Sequence, residues 1–376
     1  LAGGGTLRDL VERNALGPWA QRKHFCRQLC RGLLTLHNKA SIVHRDLKPE
    51  NVLFVPTTRG RGSGGGMDGG GVAVALEDTY YPFTLKIADF GLSRSINVSQ
   101  SKCVSSAGAG TETWIPPEGL VMFGKSSTTT TYTFSYDVHP CGSLLYFILS
   151  GGEHAYGGNS PFQIQTNLAE GKHKRTLRVH CPAVAESAVG GGESKTAATA
   201  AAVAPAAPAA QWERQLAMHL IDRMLQKDPA LRPAAPQDAD KSLCMQIVLQ
   251  HPFFMTSTER LADIARGKDT NWQRLRGKAP KHPRSGAALD WRNIAKLKAI
   301  QQNVQLDGQH YGQDWAELAR LVRNARVHLR ENAALQALFG VNAGSDTVAE
   351  MDDKVVHYVA AAMPSLFVRL IEWQSN

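Results

Sequence analysis

The 376-residue sequence is poor in charge, with only 20% charged residues, and poor in aromatics, at 7%. It has no long hydrophobic run: the most apolar stretch, residues 144–149 (LLYFIL), falls far short of the roughly 20 residues that a bilayer requires, which excludes a membrane-spanning helix within this sequence. Cysteine is sparse. The six residues, at 26, 30, 103, 141, 181 and 244, include one CxxxC pair and no metal-type spacing. That pattern argues against a disulfide framework and a zinc site and points to a reducing compartment. No secretory signal is visible and the first residue is Leu rather than Met, so a piece of a longer protein is expected. Glycine and proline, at 34 and 18 residues, are plentiful enough that part of the length reads as linker rather than core.

Acidic residues are also in deficit, 33 against 42 Lys and Arg, and the excess of +9 is localised. Between Arg266 and Lys298 stand ten basic and two acidic residues, a net of +8. Such a stretch is either a solvated basic linker or a surface for a polyanion, RNA above all, because phosphate contacts supply most non-specific nucleic-acid affinity. Two segments are low in complexity: the glycine-rich 57–78 and the alanine-rich 183–210 are expected to be surface insertions without a periodic apolar face. Residues 18–38 carry Trp19, Phe25, Leu29, Leu33 and Leu36 at helical spacing, and 212–226 repeat the pattern with Trp212, Leu216, Leu220, Ile221, Met224 and Leu225. The change of composition places a domain boundary near residue 256, giving domains 1–255 and 256–376.

The sharpest local signal is His44-Arg45-Asp46-Leu47-Lys48-Pro49-Glu50-Asn51, followed by Asp89-Phe90-Gly91 after a short apolar strand. Phosphoryl transfer needs these residue types at this spacing. Asp46 would accept the proton of the substrate hydroxyl, Lys48 would neutralise the γ-phosphate, and Asn51 with Asp89 would hold Mg²⁺.

These motifs resemble those of the eukaryotic protein kinases, and further landmarks follow in order. Trp114-Ile115-Pro116-Pro117-Glu118 stands where kinases carry APE. Asp137 and Gly142 fit the start of the large central helix, and Arg232 matches the arginine that pairs with the APE glutamate. Glu118, Asp137 and Arg232 are expected to hold the fold and do no chemistry. The resemblance implies ATP or ADP with Mg²⁺ as cofactors. Only 43 residues precede His44, so the resemblance places residues 1–17 at the hinge and first C-lobe helix, with the nucleotide-binding N-lobe outside this chain. No strand precedes Leu1–Gly5, which is therefore not read as a phosphate loop. On this reading the chain alone phosphorylates nothing efficiently, whereas the parent protein does.

Beyond His251-Pro252-Phe253-Phe254, where an ordinary kinase would end, come Asp290-Trp291-Arg292, Tyr311-Gly312, Arg323-Asn324-Ala325-Arg326-Val327-His328, and Asp352-Asp353 ahead of a final helix. This order resembles the kinase-extension nuclease domain of the inositol-requiring endoplasmic-reticulum stress sensors and of the 2′,5′-oligoadenylate-dependent ribonuclease. The intact HRD and DFG favour the former. The fold class implied is mainly α: a protein-kinase C-lobe followed by an all-helical kinase-extension nuclease domain.

The residues bear on this independently. Asp314 to Glu317 forms a capping-box pattern that opens a helix. On that helix Trp315, Leu318, Ala319, Val322 and Leu329 share one face, and Arg320, Arg323, Asn324 and His328 the other. Asn324 and His328 are spaced i,i+4 and can meet at one site. Arg, Asn and His together suit cleavage of RNA by its own 2′-hydroxyl, which needs no metal.

The resemblance implies Tyr311 as base, His328 as acid, and Arg323 with Asn324 positioning the phosphate. His310 stands beside Tyr311 as an alternative base, Arg323 is the neighbouring cation expected to activate a tyrosine, and Lys296 and Lys298 add attraction for phosphate. It further implies cleavage of stem-loop mRNA in the unfolded protein response, back-to-back self-association gated by nucleotide, phosphorylation of the chain's own activation segment (Ser93, Ser95, Ser99, Ser101, Ser105, Ser106), and a place on the cytosolic face of the endoplasmic reticulum. The alternative is an ordinary Ser/Thr kinase whose helical extension only binds partners.

Overall fold

Helical apolar spacing and well-placed caps define most of the elements. A computed structural model describes residues 5–56, 83–96, 103–105, 111–122, 130–178, 210–233, 244–266, 290–304, 311–363 and 366–367. The insertions 57–78 and 183–209, most of the basic stretch, His310, and Ser99, Ser101 and Ser106 lie outside these residues. The chain forms two compact units, Leu1–Ala209 with Leu220–Leu249, and Ala210–His219 with Gln250–Asn376.

In the first unit, helix α1 (Leu7–Glu12) opens with a capping box between Thr6 and Asp9. Helix α2 (Trp19–Ala40) buries Trp19, Phe25, Cys26, Leu29, Cys30 and Leu33 along one stripe. Strand β1 (Ile42–Val43) enters the HRD segment, and β2 (Val52–Pro56) leaves it to pair antiparallel with β3 (Phe83–Ile87), Val52 opposite Ile87. Strand β4 (Arg94–Ser95) returns to β1, and β5 (Cys103–Ser105) pairs with β6 (Thr130–Tyr132). Helix α3 (Pro117–Met122) follows β5 in sequence.

Helix α4 (Ser135–Ser150) is buried along its whole length and forms the axis of this unit, packed on α2. The unit is completed by α5 (Pro161–Glu170), the end of α6 (Gln211–Met224), and α7 (Cys244–Leu249). Gly142 permits the approach of α4 to α6: a Cβ there would stand 2.7 Å from the Cβ of Met224. Cys26, Cys30, Cys141 and Cys244 are buried free thiols.

Arg232 spends its donors inside this unit. Its Nη1 and Nη2 meet Glu118 at 2.7 and 2.6 Å, and its remaining N–H groups reach the carbonyls of Ser135, Gln226 and Lys227. The arginine side chain is wholly buried, so Arg232→Ala leaves Glu118 without its charge partner. We expect a loss of about 3–5 kcal/mol, read as a lower urea midpoint of unfolding at unchanged slope.

In the second unit, α8 (Ser257–Arg266) packs on α10 (Trp315–His328) and α12 (Val348–Ala362), while α9 (Ala295–Val304) packs on α10, α11 (Ala333–Phe339) and α12. Asp314 caps α10 by accepting the Glu317 N–H at 2.9 Å, whereas the Glu317 carboxylate turns to the Gly312 N–H and Arg320. The expected apolar face is buried: Trp315, Leu318, Ala319, Val322 and Leu329 all lie inside. One expectation is corrected. Asp352 and Asp353 stand within α12 rather than ahead of it, because Thr347 and Glu350 start the helix with their own capping box. Asp352 there takes a two-pronged ion pair from Arg326, both bonds 2.8 Å, and Asp353 accepts from the Ser257 hydroxyl.

Candidate active sites

The HRD segment is shaped by a buried carboxylate. Asp137, in the first turn of α4, accepts from the backbone N–H groups of His44 and Arg45 at 2.8 and 3.0 Å, and its Oδ2 lies 3.0 Å from the His37 ring. These bonds hold Arg45 in the left-handed region, φ 70°, where its guanidinium lies over the Tyr132 ring and donates to the Leu92 carbonyl. The His44 ring joins the Ala88 carbonyl at 2.9 Å and packs edge-on against Phe90. The expected fold-holding part of Asp137 is thus visible, and it couples the HRD and DFG segments.

Asp46 is the hub of the site. Its Oδ1 accepts from both the backbone N–H and the hydroxyl of Thr111, each at 2.9 Å. Its Oδ2 accepts from Lys48 Nζ at 2.7 Å and Asn51 Nδ2 at 3.1 Å. Burial pushes the carboxyl up, but the bonds from Lys48 and Thr111 outweigh it and hold the group below its ordinary range. Lys48 is bound in turn to the Thr111 hydroxyl at 2.8 Å. Thr111, 65 residues away in sequence, closes this network and is not among the residues singled out from the sequence.

Just beyond the Val52–Ile87 end of the β2–β3 pair, the Ala88 N–H donates to the Asn51 carbonyl at 2.9 Å, and Asp89 follows Ala88. Asn51 spends its amide nitrogen on Asp46, which leaves the side-chain oxygen as its coordinating end. Asp89 is exposed, sits in the left-handed region at φ 62°, and accepts from the Gly91 N–H. An amide oxygen and an exposed carboxylate at one strand end fit Mg²⁺, a hard cation that prefers oxygen donors and shares them with phosphate. Among the described residues no three His, Cys, Asp or Glu side chains cluster as a self-sufficient metal site.

In the second unit the structure joins three of the sequence candidates. Arg323 donates from Nε and Nη2 to Asn324 Oδ1, at 3.2 and 2.9 Å, and Asn324 Nδ2 donates to the Tyr311 hydroxyl at 2.9 Å. The amide orientation follows from the chemistry, since arginine can only donate. His328 lies one turn after Asn324 on the half-buried face of α10. The cation nearest Tyr311 differs from the expected one. Arg320 stacks over the tyrosine ring, 5.0 Å from its centroid, whereas Arg323 reaches Tyr311 only through Asn324. The Tyr311 ring is buried, at 3% exposure. Lys298 is exposed, and Lys296 sits over Tyr358, 5.0 Å from the ring centre.

A buried HRD aspartate locked by lysine, asparagine and threonine, in the same unit as an exposed DFG aspartate, is the arrangement expected of a phosphoryl-transfer fold. The chain belongs to the protein kinase family, whose domain model matches residues 1–254. Among kinases it is similar to proteins that carry a second catalytic part. The serine/threonine-protein kinase/endoribonuclease IRE2 of Homo sapiens is 27% identical over 81% of this chain and 26% of that protein. For ire-1 of Caenorhabditis elegans the identity is 25% over 97% of the chain and 31% of that protein, and for IRE1b of Arabidopsis thaliana 25% over 84% and 28%. The similarity thus reaches past the kinase match, while the chain spans only about a quarter to a third of the length of these relatives. Among the described residues no helix is long and apolar enough to cross a membrane.

Proposed function

We propose that the chain is the phosphoacceptor lobe of a Ser/Thr protein kinase joined to an endoribonuclease of the stress-sensor type, with the nucleotide-binding N-lobe lying outside these residues. In the first unit Asp46 takes the proton of the substrate hydroxyl as its oxygen bonds to the γ-phosphorus of ATP and the bond to the β,γ-bridging oxygen breaks, releasing ADP, while Lys48 offsets charge on the phosphoryl oxygens. Asn51 and Asp89 would hold Mg²⁺, which when bound would offset the negative charge of the nucleotide phosphates. Kinase activity belongs to the complete natural protein.

The Arg323–Asn324–Tyr311 chain, one helical turn before His328, carries the nuclease reading. A 2′-hydroxyl of RNA attacks its own 3′-phosphorus, forming the O2′–P bond and breaking P–O5′. Tyr311 accepts the 2′ proton, His328 delivers a proton to O5′, and Arg323 with Asn324 steadies the phosphorane charge. Nucleotide-dependent back-to-back pairing assembles this nuclease. Its substrate is stem-loop mRNA, drawn in by the basic stretch before Lys298, and the protein works on the cytosolic face of the endoplasmic reticulum. The test is incubation of the complete natural protein with a stem-loop RNA. Products ending in a 2′,3′-cyclic phosphate support the reading. Intact RNA favours the partner-binding alternative, in which the buried ring of Tyr311 is core and α10 a docking face.

A further inference from the structure

Next to the proposed kinase base stands a carboxylate that the phosphoryl-transfer chemistry does not use. Thr111 spends both its backbone N–H and its hydroxyl on Asp46, so residue 111 abuts the base. Glu112 follows, one Cα step of about 3.8 Å away. Its side chain is exposed, and its Oε2 accepts from Gln165 Nε2 on α5. That partner is neutral, and among the described residues no cation pairs with Glu112. The other acid of the catalytic loop, Glu50, is already matched by Arg8 at 2.6 Å. A peptide whose hydroxyl reaches Asp46 thus lies against residue 111, whose sequence neighbour carries an exposed carboxylate that no described cation neutralises.

We propose that Glu112, held out by Gln165, selects protein substrates with Lys or Arg immediately beside the phosphoacceptor serine or threonine. The inference rests on the kinase reading of the first unit and adds its substrate class. It also sorts the chain's own activation segment. Ser93 and Ser95 share Arg94 as a neighbour and Ser101 precedes Lys102, whereas Ser99, Ser105 and Ser106 have no charged neighbour. A second copy of this chain would therefore be modified at Ser93, Ser95 or Ser101.

The experiment compares kcat/KM of the complete natural protein, with Mg²⁺ and ATP, on serine peptides that differ only in Lys, Gln or Glu next to the serine. An exposed ion pair of this kind predicts a preference for Lys over Glu of roughly threefold. Glu112→Gln abolishes it, Glu112→Lys inverts it, and Gln165→Ala, which frees the carboxylate, narrows it. Phosphosite mapping on an Asp46→Asn copy supplied as substrate returns Ser93, Ser95 or Ser101. A Lys-to-Glu ratio unmoved by Glu112→Lys overturns the inference alone. Absence of transfer to every peptide overturns the kinase reading and the inference together.

Discussion

Asp46→Asn is expected to lower phosphoryl transfer by the complete natural protein by roughly 10²–10⁴-fold, the range a positioned general base contributes. The variant keeps the Asp46 Oδ1 position, which still accepts both Thr111 bonds. At the Oδ2 position an NH₂ now faces Lys48 Nζ and Asn51 Nδ2, so donors oppose donors and the lysine loses its anionic partner. Single-turnover rates with saturating Mg²⁺ and ATP isolate the chemical step. Nucleotide affinity is expected to change little, because Asp46 is not among the proposed metal ligands. A variant within threefold of the parent rate would remove Asp46 from the base role.

The same contacts set the acid limb. Burial raises the Asp46 carboxyl, but the Lys48 and Thr111 bonds overcome it and the net direction is downward. A carboxyl depressed in the folded state stays ionised through neutrality. Both its proposed base function and its share of stability are therefore present above the ordinary aspartate range and are lost as pH falls through the depressed value.

How much of this was legible follows from the range of each contact. The HRDLKPEN run and the DFG are short and contiguous, and the helix at 18–38 repeats at a period the core demands, so sequence reached all three. The anchoring of His44 and Arg45 on Asp137 bridges some ninety residues, and the network on Asp46 closes only through Thr111, 65 residues on. No pattern along the chain encodes such a juxtaposition. The same limit explains Arg320. Helical spacing put Arg320 and Arg323 on one face, but only the fold of the Tyr311 segment decides which of them lies over the ring. Asp352 and Asp353 are expected from the sequence ahead of the final helix, yet Thr347 caps that helix upstream of both.

His328→Ala is expected to lower RNA cleavage by roughly 10²–10⁴-fold through loss of the acid that protonates O5′. Helix α10 should keep its place, since its packing face is the opposite one, with Leu318, Leu321, Val322 and Ala325 wholly buried. RNA affinity should therefore persist, and the circular dichroism spectrum should not change. A substrate whose 5′-oxygen is replaced by sulfur, a leaving group that needs no protonation, should restore cleavage to the alanine variant but not to Tyr311→Phe. Tyr311→Phe removes the hydroxyl that accepts from Asn324 and so loosens the orientation of the Asn324–Arg323 pair. Equal cleavage by His328→Ala and the parent would take His328 out of the mechanism.

Arg45 and Asp89 both occupy the left-handed backbone region, where a side chain meets a steric cost of at most about 1–2 kcal/mol, smaller for aspartate, that glycine escapes. The fold is under tension at the two positions that bring the HRD and DFG segments together. A population of variants sorted only for survival on heating would therefore drift towards glycine at 89. It would gain thermal tolerance while discarding the carboxylate proposed to hold Mg²⁺. On the kinase reading, durability and chemistry pull against each other at that position.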